Sequence, residues 1–146
     1  MPDDANLIVT DTATICIFDL AAMAHRKDDV GDWWSLWQNR ENEIKSGSAL
    51  FLNVGDDGAY RVEVTQREDI DLPGYSLATP SRRVFIGPGE EMSGGGFEPD
   101  GKWGGFFLAV NAPHQRVSIS REGDRISINL RSSEHFENKA VESIRL

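Results

Sequence analysis

Three kinds of residue in this 146-residue chain could do chemistry: three histidines, one cysteine, and several neighbouring carboxylates. His25, His114 and His135 are scattered. None stands in the i, i+4 spacing that puts two imidazoles on one helix face, so they read as surface or hydrogen-bonded residues and no metal is expected. Asn53 opens a stretch that runs through Gly55-Asp56-Asp57-Gly58 to Val64 and has the length of a calcium loop. Its third position is a glycine and its twelfth a valine, where calcium needs an oxygen ligand and a bidentate glutamate. It reads as a turn. Cys16 lies in the apolar run Thr14-Ile15-Cys16-Ile17-Phe18, where a thiol serves as a small hydrophobe. Glu68-Asp69, Asp69 with Asp71, and Glu90-Glu91 are loop carboxylates. Two such acids about 5–9 Å apart across a cleft hydrolyse glycosides, whereas carboxylates in loops are ordinarily just solvated. GxSxG, SxxK, P-loop and dinucleotide fingerprints are all missing, and Gly94-Gly95-Gly96 lacks the lysine and helix that would cradle phosphate. No catalytic residue is assigned and no cofactor is expected.

Binding is better signalled. Trp33, Trp34, Trp37 and Trp103 are a heavy tryptophan load for an acidic chain. Core packing is the default for most of them, but Trp33 and Trp34, adjacent on one helix turn, do not both reach a core with equal ease, which makes one a candidate anchor or stacking platform. Trp103, in a glycine-rich stretch, is a candidate ligand-stacking surface. Asp28, Asp29 and Asp32 precede the tryptophans and suit the positive end of the helix that follows. With Trp33 and Trp34 they form the candidate partner-binding surface. The net charge of −9 is uneven: residues 1–76 hold 15 acidic and 6 basic side chains, and residues 77–146 hold 9 of each. An acidic half suits a basic protein partner, and the acidic balance argues against nucleic-acid binding. A single cysteine leaves no intrachain disulfide. No run of 18 apolar residues exists and Met1 to Asn6 are polar, so neither a membrane nor a leader is expected. The expectation is a cytoplasmic protein.

The elements that must position these residues follow from periodicity. Residues 1–12 read as a loosely ordered lead-in, and Thr14–Phe18 as a buried strand. Asp19 is a candidate N-cap for the helix-favouring Leu20–Arg26, and a strand running on to Ala24 is the alternative. A helix is predicted from about Trp33 to Ser46, ended by Gly47, with its first half the more apolar. Ala49–Val54 and Tyr60–Val64 flank Gly55–Gly58 and read as a β-hairpin. Residues 66–81 read as a loop, Arg83–Ile86 as a short strand, 87–105 as a long irregular connection, and Gly105–Val110 as another buried strand. Val117–Ser120 and Ile126–Arg131 alternate around Glu122-Gly123-Asp124 as the clearest hairpin. Its polar face carries Arg116, Arg125 and Arg131, which reads as protection of an edge strand. Val141, Ile144 and Leu146 suit a short last strand or helix. The six or seven strands, joined by tight turns, imply an antiparallel β-sandwich or partly closed barrel with one packed amphipathic helix, mainly β (α+β), in a single domain over residues 1–146.

The apolar strand running into Asp19-Leu20, the Asp32-Trp33-Trp34 step and Gly104-Gly105-Phe106-Phe107-Leu108-Ala109-Val110 carry a likeness. On these residues the chain resembles small acidic β-rich bacterial proteins of unassigned function, including cytoplasmic immunity proteins encoded beside contact-dependent or type VI secreted toxins. The resemblance implies a non-enzymatic acidic protein that binds and neutralises a cognate, often basic, effector. The alternative reading is a small-molecule or carbohydrate-binding β-sandwich, and a third is a loop-carboxylate hydrolase.

Overall fold

Two kinds of strand are visible in the sequence, some apolar on both faces and some alternating, and they go to different sheets. The computed structural model describes residues 5–26, 37–89, 105–139 and 144–146. Ten strands run through them: β1 (Ala5–Thr10), β2 (Thr14–Phe18), β3 (Ala49–Asn53), β4 (Gly58–Thr65), β5 (Tyr75–Ala78), β6 (Arg83–Pro88), β7 (Phe106–Ala109), β8 (His114–Glu122), β9 (Arg125–Ser132) and β10 (Ile144–Arg145). One sheet has the order β1-β4-β9-β8-β5 and the other β10-β3-β2-β6-β7. This is the expected mainly β architecture, with one sheet curled into a half-barrel and one helix, α1 (Trp37–Ser46).

In the second sheet β2, β3 and β6 are buried almost throughout. Helix α1 packs on β3 and the 3-10 segment Leu20–Arg26 on β6, so these strands have no solvent face to supply with polar residues. Asp19 caps the 3-10 segment as expected, its Oδ1 accepting from the Ala21 amide at 3.0 Å. Gly47 follows α1 with φ of 79°. There a Cβ would be strained by the backbone and would meet the Ser76 carbonyl oxygen at 2.9 Å. Cys16 is buried and its thiol donates to the Gly87 carbonyl at 3.4 Å. In the first sheet the strands alternate. Tyr60, Val62, Val117, Ile126, Ile128 and Leu130 face the core, and Arg61, Ser120, Arg125 and Ser127 are exposed.

Several expectations are corrected. The lead-in over residues 1–12 contains β1, which pairs antiparallel with β4. The loop over 66–81 contains β5, the far edge of the same sheet. Ala49–Val54 and Tyr60–Val64 are not a hairpin: the Gly55–Gly58 turn is real, but it carries the chain from one sheet to the other. The physical reason was visible as a difference in pattern. β3 is apolar on both faces and β4 on one, and pairing them would leave an apolar face of β3 in water. The sheets are also mixed, because β4–β9 and β10–β3 run parallel. The last hairpin, β8–β9, forms as read. It lies inside its sheet, though, so Arg116, Arg125 and Arg131 protect no edge. Of the helix predicted from Trp33, residues 37–46 are described, and they bury Glu43 and Ile44.

Candidate functional site

The topology of the first sheet creates one site directly. β4 and β5 are consecutive in sequence but are separated in the sheet by β9 and β8. Residues 66–74 must therefore cross the sheet, and since the inner face is filled by core side chains they cross the outer one. The crossing is tied down at each step. Asn129 accepts from the Arg67 amide at 2.9 Å and donates back to the Arg67 carbonyl at 3.2 Å. Glu68 receives the Ser132 hydroxyl at 2.5 Å and amide at 2.9 Å. Arg131 donates to the Ile70 carbonyl, and the Ser118 hydroxyl donates to the Leu72 carbonyl at 3.3 Å. Gly74 sits so close to β8 that a Cβ would fall 2.5 Å from the Val117 carbonyl oxygen. Only glycine allows that approach.

Under this strap lies a cavity of about 470 Å³, with a floor from β4, β9 and β8 and a wall that includes Ile70, Leu72 and Pro73. The floor is built in cross-strand rows. Glu63, Ser127 and Ser120 are register partners in one row, and Thr65, Asn129 and Ser118 in the next. Small hydroxyl side chains leave the sheet surface low beneath a strap held above it. The Ser120 and Ser127 hydroxyls make no hydrogen bond to a described residue, the two residues being paired through their backbones, so the hydroxyls are available to a ligand. Glu63 at the rim is paired with Arg125.

The strap's acids are engaged singly. Hydrogen bonds from the Ser132 hydroxyl and then its amide hold the Glu68 carboxyl below its ordinary value of 4.5. The hydrogen bond from Arg67 and then its charge hold Asp69 below 3.8. Both are ionised at neutral pH, so this pair offers no proton donor of the kind two-carboxylate hydrolysis uses. A carboxyl whose pKa is lowered by folding contributes stability above its unfolded value, and loses it as the pH falls through the folded one. The Glu68 tie should thus be fully present above pH 4.5 and fade below it. At neutral pH, E68Q should speed amide exchange in residues 66–72 by a few-fold. The gap from wild type should close as the pH drops from 6 towards 3. A gap that persists unchanged at pH 3 would show that the carboxylate is not the tie.

Asp28, Asp29, Asp32, Trp33, Trp34 and Trp103, the residues singled out for binding, all lie outside the described residues, as do Glu90 and Glu91. His114 and His135 come together, with ring centroids 5.3 Å apart. Among the described residues no group of three or more His, Cys, Asp or Glu side chains could hold a metal ion, and no helix is long and apolar enough to cross a membrane. The groove itself escaped sequence reasoning, because Ser118, Ser120, Ser127 and Asn129 look like any solvent face of an alternating hairpin. The one signal was apolar Ile70 and Leu72 inside an acidic loop.

Residues 3–146 match the model of a family of unknown function, DUF6386. No curated protein matches the chain. A solved structure called "Crocagin biosynthetic gene J" is similar at a TM-score of 0.58 and 15% sequence identity, over 92% of this chain and 100% of that one. At that identity the likeness concerns the fold alone.

Proposed function

We propose that this chain, which belongs to the DUF6386 family of unknown function, is a non-enzymatic binding protein that takes a small amphipathic molecule in the groove under its strap. The observation that carries the reading is the cavity of about 470 Å³ between Ile70, Leu72 and Pro73 on one side and a hydroxyl-bearing floor on the other. That volume falls in the range of small-molecule sites, roughly 300–1,000 Å³, and an apolar wall facing a few polar groups is their usual chemistry. The apolar body of a ligand would lie against Ile70 and Leu72, and its hydroxyl or carbonyl groups would meet Ser120 and Ser127. Leu72 is 53% exposed, so part of the apolar surface such a ligand would cover now faces water. A thermal-shift panel of glycans and amphipathic metabolites tests the reading, run on wild type and on S127W, which fills the floor from an exposed position. Some member should stabilise wild type, by about 2.7 kcal/mol at a hundredfold excess over its Kd, and should leave S127W unmoved. A flat panel on wild type would end it.

A second reading rests on a different observation, the 15 acidic against 6 basic side chains of residues 1–76. Such a half favours a basic protein partner through faster encounter and rejection of like-charged surfaces. An immunity-type role in the cytoplasm, neutralising a cognate effector, is the specific form of that proposal, with Asp28, Asp29, Asp32, Trp33 and Trp34 as its contact residues.

A further inference from the structure

The polar groups on the groove's floor fall into two rows, one spent on the protein and one open. In the row Thr65–Asn129–Ser118, Thr65 donates to Asn129 Oδ1 at 2.7 Å. Asn129 holds the Arg67 backbone, and Ser118 donates to the Leu72 carbonyl. The neighbouring row, Glu63–Ser127–Ser120, lines the same cavity and is differently placed. Register pairing sets its three side chains side by side on adjacent strands, roughly 4.8 Å apart. The two hydroxyls make no hydrogen bond to a described residue. Glu63 Oε1 accepts from Arg125, and Oε2 has no hydrogen bond to a described residue. Among the described residues that line the cavity, Glu63 is also the one ionisable side chain. Arg125 is not one of them, so the ion pair turns its negative end to the cavity. The Arg125 side chain is 50% exposed, and water screens its hold on the carboxylate.

We infer that the row Glu63–Ser127–Ser120 is an ammonium subsite, so that the groove's ligand is a primary aliphatic amine bound in its charged form. The inference rests on the groove reading above and narrows its ligand class. An ammonium has three donors and no acceptor, and the row offers it a carboxylate oxygen and two hydroxyl oxygens. An alcohol brings a single donor and no charge. A carboxylate brings acceptors alone and a charge that Glu63 repels. The wall of Ile70, Leu72 and Pro73 keeps water from one side of the row, which strengthens the attraction of opposite charges there. The open row also orients the ligand, with its amine at the Glu63 end and its alkyl chain against Ile70 and Leu72. An alkylamine, like a lysine side chain with its pKa of about 10.4, is charged at neutral pH.

Octylamine, octan-1-ol and octanoate share a chain and differ in charge. Calorimetry at neutral pH reads their binding to wild type, E63Q, R125Q and S127W, and circular dichroism with thermal melting checks the folding of each variant. Wild type should bind a single octylamine more tightly than octanol, and octanol more tightly than octanoate. E63Q, which keeps the shape and removes the charge, should lose about tenfold or more of the octylamine affinity, with octanol unchanged. R125Q changes an exposed side chain and so keeps the test open if E63Q does not fold. It should tighten octylamine about two- to fivefold, the scale of one exposed ion pair. S127W should bind none of the three probes. Equal binding of octylamine and octanol to wild type, or octylamine binding that neither E63Q nor R125Q changes, overturns the subsite and leaves the groove reading intact. Octylamine that binds in several copies and persists in S127W is adsorbed on the acidic surface, which overturns the subsite as well. No binding of any probe to wild type overturns both readings.

Discussion

Asn138→Ala should cost about 3–5 kcal/mol of stability, measured by urea unfolding, because one amide ties together three separate parts of the chain. Its Oδ1 accepts from the Ser76 amide at 2.8 Å, and its Nδ2 donates to the Ser76 carbonyl at 2.9 Å and to the Ile44 carbonyl at 2.7 Å. Ser76 and Asn138 are both buried. β5 is an edge strand, so the free side of Ser76 has no neighbouring strand, and the asparagine amide stands in for one. The Ile44 carbonyl belongs to the last turn of α1, where it accepts from the Gly47 amide at 3.1 Å, and Asn138 adds a second donor. Each polar group left buried and unpaired costs roughly 1–3 kcal/mol, and two, the Ser76 amide and carbonyl, are orphaned together, while the Ile44 carbonyl keeps only its bond from Gly47. Asn138→Asp sharpens the test, since it keeps the acceptor but sets an oxygen against two carbonyl oxygens. It should be at least as destabilising as alanine at neutral pH. Losses below about 1 kcal/mol for both variants would mean that water replaces the amide and that the edge is not closed in this way.

Asp19→Ala is the second large effect, expected at about 2–4 kcal/mol. The carboxylate is buried and serves two functions at once. Oδ1 caps Leu20–Arg26 through the Ala21 amide at 3.0 Å and also receives the Ser81 hydroxyl at 2.7 Å, while Oδ2 receives the Ser81 amide at 2.8 Å. Losing the cap costs about 1 kcal/mol, and the rest comes from the two hydrogen bonds that Ser81 donates to a charged group. Ser81→Ala removes only the hydroxyl bond and should cost about 0.5–1.5 kcal/mol. If D19A were no worse than S81A in thermal or urea unfolding, the cap and the Ser81 amide bond would carry no weight.

These two residues show how legibility divides. Asp19 was readable as a cap because a cap is local: an aspartate followed by a helix-favouring run specifies its own geometry. Its grip on Ser81, 62 positions away, left no local trace. Asn138 sat in a polar tail with nothing to mark it, since an amide that completes a strand edge looks like any solvated asparagine. β5 was missed because four residues in a loop context carry too little periodicity. β1 was missed because acidic and proline punctuation just before it outweighed Leu7-Ile8-Val9. The Gly55–Gly58 turn was placed correctly but its partners were not, because turn chemistry reports a reversal of the chain and not which strands pair afterwards.

The groove follows the same division. Ser118, Ser120, Ser127 and Asn129 of its floor fall on the polar face of the alternating last hairpin, and that is where each one lies. The cavity exists because β9 and β8 are inserted between β4 and β5, which obliges residues 66–74 to bridge the gap over the sheet. The long-range order of strands is set by which apolar faces can be buried together, a property of the whole chain. Period, polarity, caps and turns are set within a few residues of backbone. From the sequence alone came the class of fold, the faces of its strands, the Asp19 cap, the buried place of Cys16 and the acidic first half. The tertiary structure alone decided that Glu63, Ile70, Leu72, Ser118 and Asn129, distant in the chain, share one surface and enclose a space large enough for a ligand.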